Sequence, residues 1–418
     1  MVRAVDPATG ETLARFETEG YVTHLVASES GRSLFAVQMD HDVVHVVASG
    51  IKLSDHGGHS DIKTGTSTLL PVVLRGSRPV HATPHHGHFI QFFDRDGEAR
   101  VYEEQALMEG KSGYTVVKAT APHHGVAVPF GDYFLISEPN LAADTKADDL
   151  PPRLGLRILD KSGIPVGDIA TCTGLHGEAS SAGAVAFGCA EGVLLVRSNG
   201  SGAPEAMMLA YGADMPEGRV GRLLGGKAMQ FFLGDYGSDK LVVIDPSNDA
   251  PYELVPLPVR WVDFALDPQR VKNAYVFTED GHLHTLDVLS GEIVRSKRIT
   301  EPYSRDGHWR DPRPRLTVMG DLIAISDPRA QLVHLIEAET FVERRTIPVE
   351  GLPFNIVAVG GSGMRHQGLS SAGVCATCPT SSCPRALLMP WRRCAPPSRD
   401  ATRRESRAIP FSRPSRRN

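Results

Sequence analysis

The chain has 418 residues, of which 41% are hydrophobic and 6% aromatic, and its formal net charge at pH 7 is −5. No apolar run approaches the 18 or so residues of a membrane-spanning helix, so we expect no insertion into a membrane. Residues 361–418 contain eleven Arg and carry about +9, whereas residues 1–360 carry about −14. Because phosphate binding requires a basic face, the acidic body argues against nucleic acid as a partner.

Residues 1–360 carry a repeated pattern of short strands. An apolar strand, an Asp, a short turn and a second strand occur as VRAVDPATGETLARF, LVVIDPSNDAPYELV and LHTLDVLSGEIVRS, and more loosely as LVHLIEAETFVERRTI. Less polar strands such as GRSLFAVQ, HFIQFF and AMQFFLGD stand between these hairpins. Four short strands recurring about every 40 to 57 residues, without a helical segment, are typical of propeller blades. The pattern therefore predicts an all-β fold of the β-propeller class.

The number of blades follows from the inner strands. We place their starts near eight residues: His24, His81, His124, His176, Val220, Val262, Leu316 and Phe354. The last start has only PFNIVAVGG after it, so the N-terminal strands in residues 2–18 are expected to complete that blade and close the ring. Closure removes the exposed sheet edges of an open array. Eight blades are predicted, with seven as the alternative.

Histidines recur at one point of the repeat. Four of them stand six or seven residues before a turn glycine at the start of consecutive inner strands: His24, His81, His124 and His176. Inner strands line the central channel, so equivalent starts converge at one of its mouths. Neutral imidazoles are good zinc ligands, and zinc takes about four of them or other donors. We therefore predict a Zn²⁺ site formed by His81, His124 and His176, with His24 as a fourth ligand; the alternative is a polar channel lining.

A second histidine cluster lies in the segment DHGGHSD. Asp55, His56, His59 and Asp61 fall there in a Gly-rich loop of the first blade. Their spacing suits a secondary, exposed metal-capturing loop, and an ordinary polar surface loop is the alternative reading.

The remaining signals concern cysteines and the chain ends. Cys172 and Cys189 lie in the patterned body, where they are either buried thiols or a disulfide formed in an oxidising compartment. The start MVRAVDPATGETLARF has no apolar segment of a signal peptide. Residues 361–418 are rich in Arg, Pro, Ser and Cys without strand or helix periodicity, so we predict a disordered tail after a propeller domain of residues 1–360.

Several segments together resemble a known family. DHGGHSDI, RPVHATPHHGHF, PHHGVAVPFGDYFLISEP, TGLHGEASSAG and PFNIVAVGGSG are similar to the periplasmic zinc metallochaperones of the AztD type, which accompany an ABC zinc importer. The resemblance covers about residues 1–360. It implies zinc held by His81, His124 and His176, a Cys172–Cys189 disulfide, and direct delivery to the importer's solute-binding protein in the periplasm.

This resemblance also guides the interpretation of the two ends. The family carries a signal peptide and a His-rich N-terminal segment, and the Arg-rich stretch after Gly361 is foreign to it. We interpret the chain as a monomeric family member that is truncated at its N-terminus and ends in an unrelated tail.

Two other classes of function fit a propeller. The first is a metal-dependent enzyme, similar to lactonases or quinoproteins, in which Glu178 near His176 would serve as a general base. Calcium enzymes need channels rich in carboxylate and amide oxygens, whereas the aligned positions here are histidines. The second is a metal-free interaction scaffold. Zinc content and zinc affinity discriminate among the three.

Overall fold

The structure is a computed structural model that describes residues 1–55, 60–200 and 202–360, with the backbone alone for residues 53–55, 60 and 61. These residues form 32 strands, one short α-helix, α1 (Glu104–Met108), and a 3-10 helix, Met39–His41. Seven antiparallel four-stranded sheets are present in the described part of the chain. No helix among those residues has both the length and the apolar character needed to cross a membrane.

The first four sheets, called blades 1 to 4, follow one another along the chain. Blade 1 contains β3 (His24–Ala27), β4 (Ser33–Gln38), β5 (Val43–Ala48) and β8 (Thr68–Arg75). Blade 2 contains β9 (Pro79–His85), β10 (His88–Phe93), β11 (Glu98–Glu103) and β12 (Tyr114–Lys118). Blade 3 contains β13 (Ala127–Phe130), β14 (Tyr133–Pro139), β15 (Arg153–Asp160) and β16 (Ala170–Thr171). Blade 4 contains β17 (His176–Ser181), β18 (Ala184–Gly188), β19 (Gly192–Arg197) and β20 (Glu205–Ala210).

Three further blades and two separate hairpins complete the structure. Blade 5 contains β21 (Leu223–Leu224), β22 (Phe232–Asp235), β23 (Lys240–Ile244) and β24 (Tyr252–Pro256). Blade 6 contains β25 (Trp261–Leu266), β26 (Asn273–Thr278), β27 (His282–Asp287) and β28 (Glu292–Arg298). Blade 7 contains β29 (Leu316–Met319), β30 (Leu322–Asp327), β31 (Leu332–Glu337) and β32 (Glu343–Pro348). The hairpins are β1 (Val2–Val5) with β2 (Thr12–Phe16), and β6 (Ile51–Asp55) with β7 (Ser60–Thr64).

The position of a strand within its blade explains its composition. Second strands such as β10 and β18 are almost wholly buried, because neighbouring blades cover both faces of each sheet. They are accordingly runs of apolar residues without alternation. The fourth strands β28 and β32 are mostly exposed and rich in Arg, Lys and Glu. Charged side chains on an outer edge discourage pairing with another chain.

The hydrophobic core lies between successive blades. Between blades 1 and 2, Phe35 and Phe89 stack with their ring centroids 3.5 Å apart. Val44 and Tyr102 belong to the same buried cluster. Similar apolar layers fill the other blade interfaces, for example between blades 3 and 4. Each blade thus buries its faces against its neighbours, which holds the inner strands in a fixed ring.

The structure corrects the predicted number of blades from eight to seven. Seven of the predicted starts lie in, or just before, the first strand of a four-stranded sheet, whereas the segment around Phe354 contains no strand. Its polar contacts are side-chain bonds to two blades and do not form a ladder. Asn355 Nδ2 donates to the carbonyls of Val22 and Thr23 at 3.0 and 3.1 Å, and Ser326 Oγ donates to the carbonyl of Phe354 at 3.0 Å. The segment therefore joins blade 7 to blade 1.

The predicted closure of the ring by the N-terminal strands is also wrong in its detail. Among the described residues β1 pairs only with β2, in a sheet of their own. The hairpin still lies against the last blade, because Arg345 of β32 donates to the Thr9 carbonyl at 2.5 Å and Arg3 pairs with Glu350 at 3.1 Å. Its Val5 packs against the apolar cluster of blade 7, and the hairpin forms no part of a four-stranded sheet.

Two predicted features lie outside the described residues. His56 and His59 fall in residues 56–59, between β6 and β7, which the structure does not describe, and the side chains of Asp55 and Asp61 are not described. The predicted tail, residues 361–418, likewise lies outside them.

Candidate metal centre

Three of the predicted ligands come together at one point of the ring. His81 is the third residue of β9, His176 is the first of β17, and His124 lies in the segment before β13. The ring centroid of His81 is 4.7 Å from that of His124 and 6.1 Å from that of His176. The centroids of His124 and His176 are 6.3 Å apart. Residues from blades 2, 3 and 4 therefore meet because the inner strands of adjacent blades run side by side.

Hydrogen bonds at Nδ1 orient two of these rings. His124 Nδ1 lies 2.8 Å from Oδ2 of Asp94, whose side chain is fully buried. Arg78 Nε approaches the same carboxylate oxygen at 3.3 Å. His176 Nδ1 donates to the carbonyl of Gly221 at 2.7 Å. Since a carboxylate and a carbonyl only accept, the proton of each neutral imidazole is assigned to Nδ1 and the lone pair to Nε2. This is the arrangement by which supporting groups prepare histidine for a metal.

The third ring, His81, is flanked by a carboxylate. Its Nδ1 is 3.8 Å from Oε2 of Glu178, and both side chains are more than four-fifths buried. Burial lowers the pKa of His81 well below its ordinary value, and His124 and Arg153 lower it further. Partial desolvation also lowers the pKa of His176, against the hydrogen bond to Gly221, although this residue keeps an exposed edge. Both rings are therefore neutral at pH 7, the form that ligates zinc.

Glu178 itself has an unusual environment. Burial raises its pKa to about 7, although the nearby Arg153 guanidinium and a hydrogen bond from Thr83 oppose the shift. Arg153 is also buried, and it donates to the carbonyl of Leu175. Burial lowers the pKa of Arg153 to about 10, with Glu178 and Asp94 acting in the opposite direction. The cluster thus combines three imidazoles with two carboxyl groups and two guanidinium groups, those of Arg153 and Arg78.

The spacing of the nitrogens can be compared with a zinc shell. The Nε2 atoms of His81 and His124 are 3.2 Å apart. Two ligands on a tetrahedral zinc at ~2.0–2.1 Å would be separated by about 3.3 Å. Within the described residues, however, no three His, Cys, Asp or Glu side chains are close enough to hold a metal without adjustment. The three rings surround a common region, and a third donor must turn toward it.

His24, the fourth predicted ligand, lies beside this cluster in another setting. Its ring stacks on that of Trp309 with centroids 6.2 Å apart. Its Nε2 is buried without a hydrogen-bond partner in the part of the chain that the structure describes. Burial lowers the pKa of His24 to about 4, with a further contribution from His124. The side chains of the secondary loop residues Asp55, His56, His59 and Asp61 lie outside the described part of the structure.

The disulfide implied by the family resemblance is confirmed. Cys172 and Cys189 are bonded, with their Cα atoms 4.9 Å apart. Cys172 follows β16 of blade 3 and Cys189 follows β18 of blade 4, so the bond joins two neighbouring blades. Both residues are fully buried in the core layer between these blades.

Several other histidines have structural partners. His45, His284 and His334 each occupy the third position of the third strand of a blade. The first two bond to Gln38 and Thr278 at the end of the preceding strand, and His334 bonds to Glu343. Histidines at this repeated position bond to neighbouring side chains of their own blade. The total number of histidines is therefore larger than the number of candidate zinc ligands.

The two adjacent histidines, His123 and His124, also differ in role: one has structural partners and the other faces the cluster. His123 is fully buried, and its two ring nitrogens bond to Ser137 Oγ at 2.8 Å and to the Ala121 carbonyl at 3.0 Å. His124 alone faces the other histidines. Sequence reasoning missed Asp94, whose only signal is an acidic residue directly after the apolar strand β10.

Comparisons with known proteins show the family of this chain. No protein-family model matches the chain. A curated protein of Citrobacter koseri, the zinc chaperone AztD, is 44% identical over 367 residues, which cover 88% of this chain and 85% of the relative.

Solved structures give the same result. The crystal structure of Citrobacter koseri AztD matches with a TM-score of 0.81 and 44% identity, covering 87% of this chain and 96% of that one. The structure of apo AztD from Citrobacter koseri matches with a TM-score of 0.80 and 43% identity, covering 87% and 95%. This similarity extends over nearly the whole propeller, and the chain therefore belongs to the AztD family of zinc chaperones.

Proposed function

We propose that the protein binds Zn²⁺ through His81, His124 and His176 and delivers it to the solute-binding protein of an ABC zinc importer. The observation that supports this most directly is the convergence of three imidazoles from three blades, two of them with Nδ1 already bonded. The relative from Citrobacter koseri is named a zinc chaperone. A carrier is not required to transform a substrate, and we assign no enzymatic reaction to Glu178.

The arrangement suits a carrier that must also release its cargo. Neutral imidazoles bind zinc without the extra electrostatic attraction of a negatively charged ligand. The His81 and His176 rings remain neutral because desolvation lowers their pKa values. The fourth donor is His24, a water molecule, or Asp55 or His56 of the secondary loop. An exchangeable fourth position gives an acceptor protein a point at which to attack the metal.

Three further features belong to the same proposal. A disulfide between Cys172 and Cys189 is typical of proteins in an oxidising compartment, which supports function in the periplasm. The acidic body of the protein disfavours nucleic acid as a partner. We propose a monomer, since the ring of seven blades is complete within one chain.

The proposal is tested by zinc affinity, measured by competition with a chromogenic chelator. His81→Ala, His124→Ala and His176→Ala should each weaken zinc binding by more than about tenfold, since loss of a residue that only supports a ligand already costs about 10- to 100-fold. His308→Ala, on an exposed loop, is the matched control and should bind like the parent. Unchanged affinity in all three ligand variants would refute the site.

Delivery requires a second measurement. Zinc-loaded protein is mixed with the zinc-free solute-binding protein, and transfer is followed in the presence of a chelator that traps free zinc. Transfer faster than spontaneous release supports direct delivery. If zinc reaches the solute-binding protein no faster than it is released into the chelator, direct delivery is contradicted and only zinc binding remains.

A further inference from the structure

A cavity adjoins the histidine cluster on the side of blades 4 to 6. Its volume is about 540 Å³, and His176 forms part of its wall. Its other main lining side chains are three arginines, one acid and one indole: Arg219, Arg222, Arg305, Asp235 and Trp261. The proposed zinc ligands do not account for this concentration of guanidinium groups.

Two of the arginines are largely without partners. The Arg305 Cζ lies 3.7 Å from the centroid of the Trp261 ring, and its Nη1 donates to the Trp261 carbonyl at 3.3 Å. Arg219 Nη1 donates to the carbonyl of Gly174 at 3.3 Å. A guanidinium has five N–H donors, so most donors of both groups have no acceptor among the described residues. Neither arginine forms an ion pair with a carboxylate of residues 1–55, 60–200 or 202–360 whose side chain is described.

The other charged groups of the wall are already engaged. Arg222 forms an ion pair with Asp263 and donates to the Phe264 carbonyl at 3.1 Å. Asp235 Oδ1 accepts the backbone N–H groups of Gly221 and Arg222 at 2.8 and 2.6 Å. Asp235 is thus held within the wall and is the single acid against three cations in the lining.

The positive charge extends behind the wall. Burial lowers the pKa of Arg305, and Arg315 lowers it further, whereas Asp235 acts in the opposite direction. Cations crowded beside a zinc site repel the metal unless an anion neutralises them. The rest of the propeller is acidic, with about −14 over residues 1–360, so the basic wall is a local feature.

We propose that this cavity binds a small polycarboxylate anion. The planar fork of a guanidinium matches a carboxylate through two parallel hydrogen bonds. Arg219 lies before β21 and Arg305 before β29, so the two open forks come from separate segments and each can take one carboxylate. This anion site is a property additional to zinc binding, and the proposal depends on the contacts of the cavity wall and not on the zinc site.

The experiment is calorimetric titration of the full-length, zinc-free protein with citrate at fixed ionic strength. Saturable binding of one citrate is expected, weaker at higher salt because the contacts are electrostatic. Arg219→Gln and Arg305→Gln should each weaken citrate binding by roughly tenfold or more. Acetate and inorganic phosphate should bind more weakly than citrate, since neither offers two carboxylates.

Arg329→Gln is the matched control, because the Arg329 Cζ also lies 3.7 Å from an aromatic centroid, that of Tyr303, without lining the cavity. It should bind citrate like the parent. Arg305→Gln removes a stacked side chain, so its melting temperature is compared with that of Arg329→Gln, while the exposed Arg219→Gln tests the site without loss of packing.

Absence of saturable citrate binding, or parent-like binding by Arg219→Gln, would overturn the proposal. Phosphate binding as tight as citrate binding would overturn the assignment to a polycarboxylate. All these measurements are made without zinc, so failure of the zinc assignment leaves their meaning unchanged.

Discussion

The imidazole of His124 donates a hydrogen bond from Nδ1 to Oδ2 of the buried Asp94 carboxylate, with 2.8 Å between the two atoms. Asp94 directly follows β10 in blade 2, whereas His124 precedes β13 in blade 3. A proposed ligand from one blade is therefore oriented by a residue of the blade before it. The pairing orients the His124 ring with its Nε2 3.2 Å from that of His81, and supporting carboxylates of this kind increase metal affinity.

Asp94→Asn should weaken zinc binding by about 10- to 100-fold, because the amide removes the charge that polarises His124. Chelator competition measures the loss. Asp327→Asn is the control, since Asp327 is also buried and lies 3.6 Å from a histidine, His334, in blade 7. A similar loss in both variants would point to general destabilisation and contradict the specific role of Asp94.

Zinc should be retained to lower pH than unperturbed histidines would allow. Burial lowers the pKa of both His81 and His176 from 6.5, so protons compete with zinc only at greater acidity. Zinc affinity measured at pH 7.5, 6.5 and 5.5 should show its main decrease below pH 6.5. A steep loss between pH 7.5 and 6.5 would contradict the lowered pKa values.

His24 should make the zinc-free protein less stable as the pH falls from 6.5 to about 4. Its folded pKa is lowered to about 4, mainly by burial, so over this range the unfolded chain binds a proton that the folded chain does not. The loss from this one group is at most about 3 kcal/mol. Urea unfolding at pH 7 and pH 5 should show a smaller difference for His24→Gln than for the parent. An equal pH dependence in both proteins would exclude His24 as its source.

The Cys172–Cys189 bond should stabilise the junction of blades 3 and 4. It closes a loop with a sequence separation of 17, for which the constrained unfolded chain predicts about 3 kcal/mol. The double variant Cys172→Ala/Cys189→Ala should therefore unfold at a lower urea concentration. Treatment with a reductant should lower the parent to the same value and leave the variant unchanged.

Asn355 should contribute to closure of the ring. Its side chain donates to the Val22 and Thr23 carbonyls beside blade 1, in a segment that also bonds to blade 7. Asn355→Ala should lower the free energy of unfolding by about 1 to 3 kcal/mol, since two carbonyls lose their donor. Thermal unfolding provides the measurement, with Asn248→Ala on an exposed turn as the control. Equal melting temperatures would show that the ring is closed by packing alone.

The amino-acid sequence by itself determined the repeating architecture and the three converging histidines. Strand patterns and turn glycines are local and recur, so the register of His81, His124 and His176 could be recognised without coordinates. Only the tertiary structure decided that the ring has seven blades, because closure depends on a segment near residue 360 in which Phe354 bonds to blade 7 and Asn355 bonds beside blade 1. It also separated His123, bonded at both nitrogens, from His124, and it placed Asp94 behind the latter. Those distinctions depend on contacts between residues of different blades, which no pattern within one repeat contains.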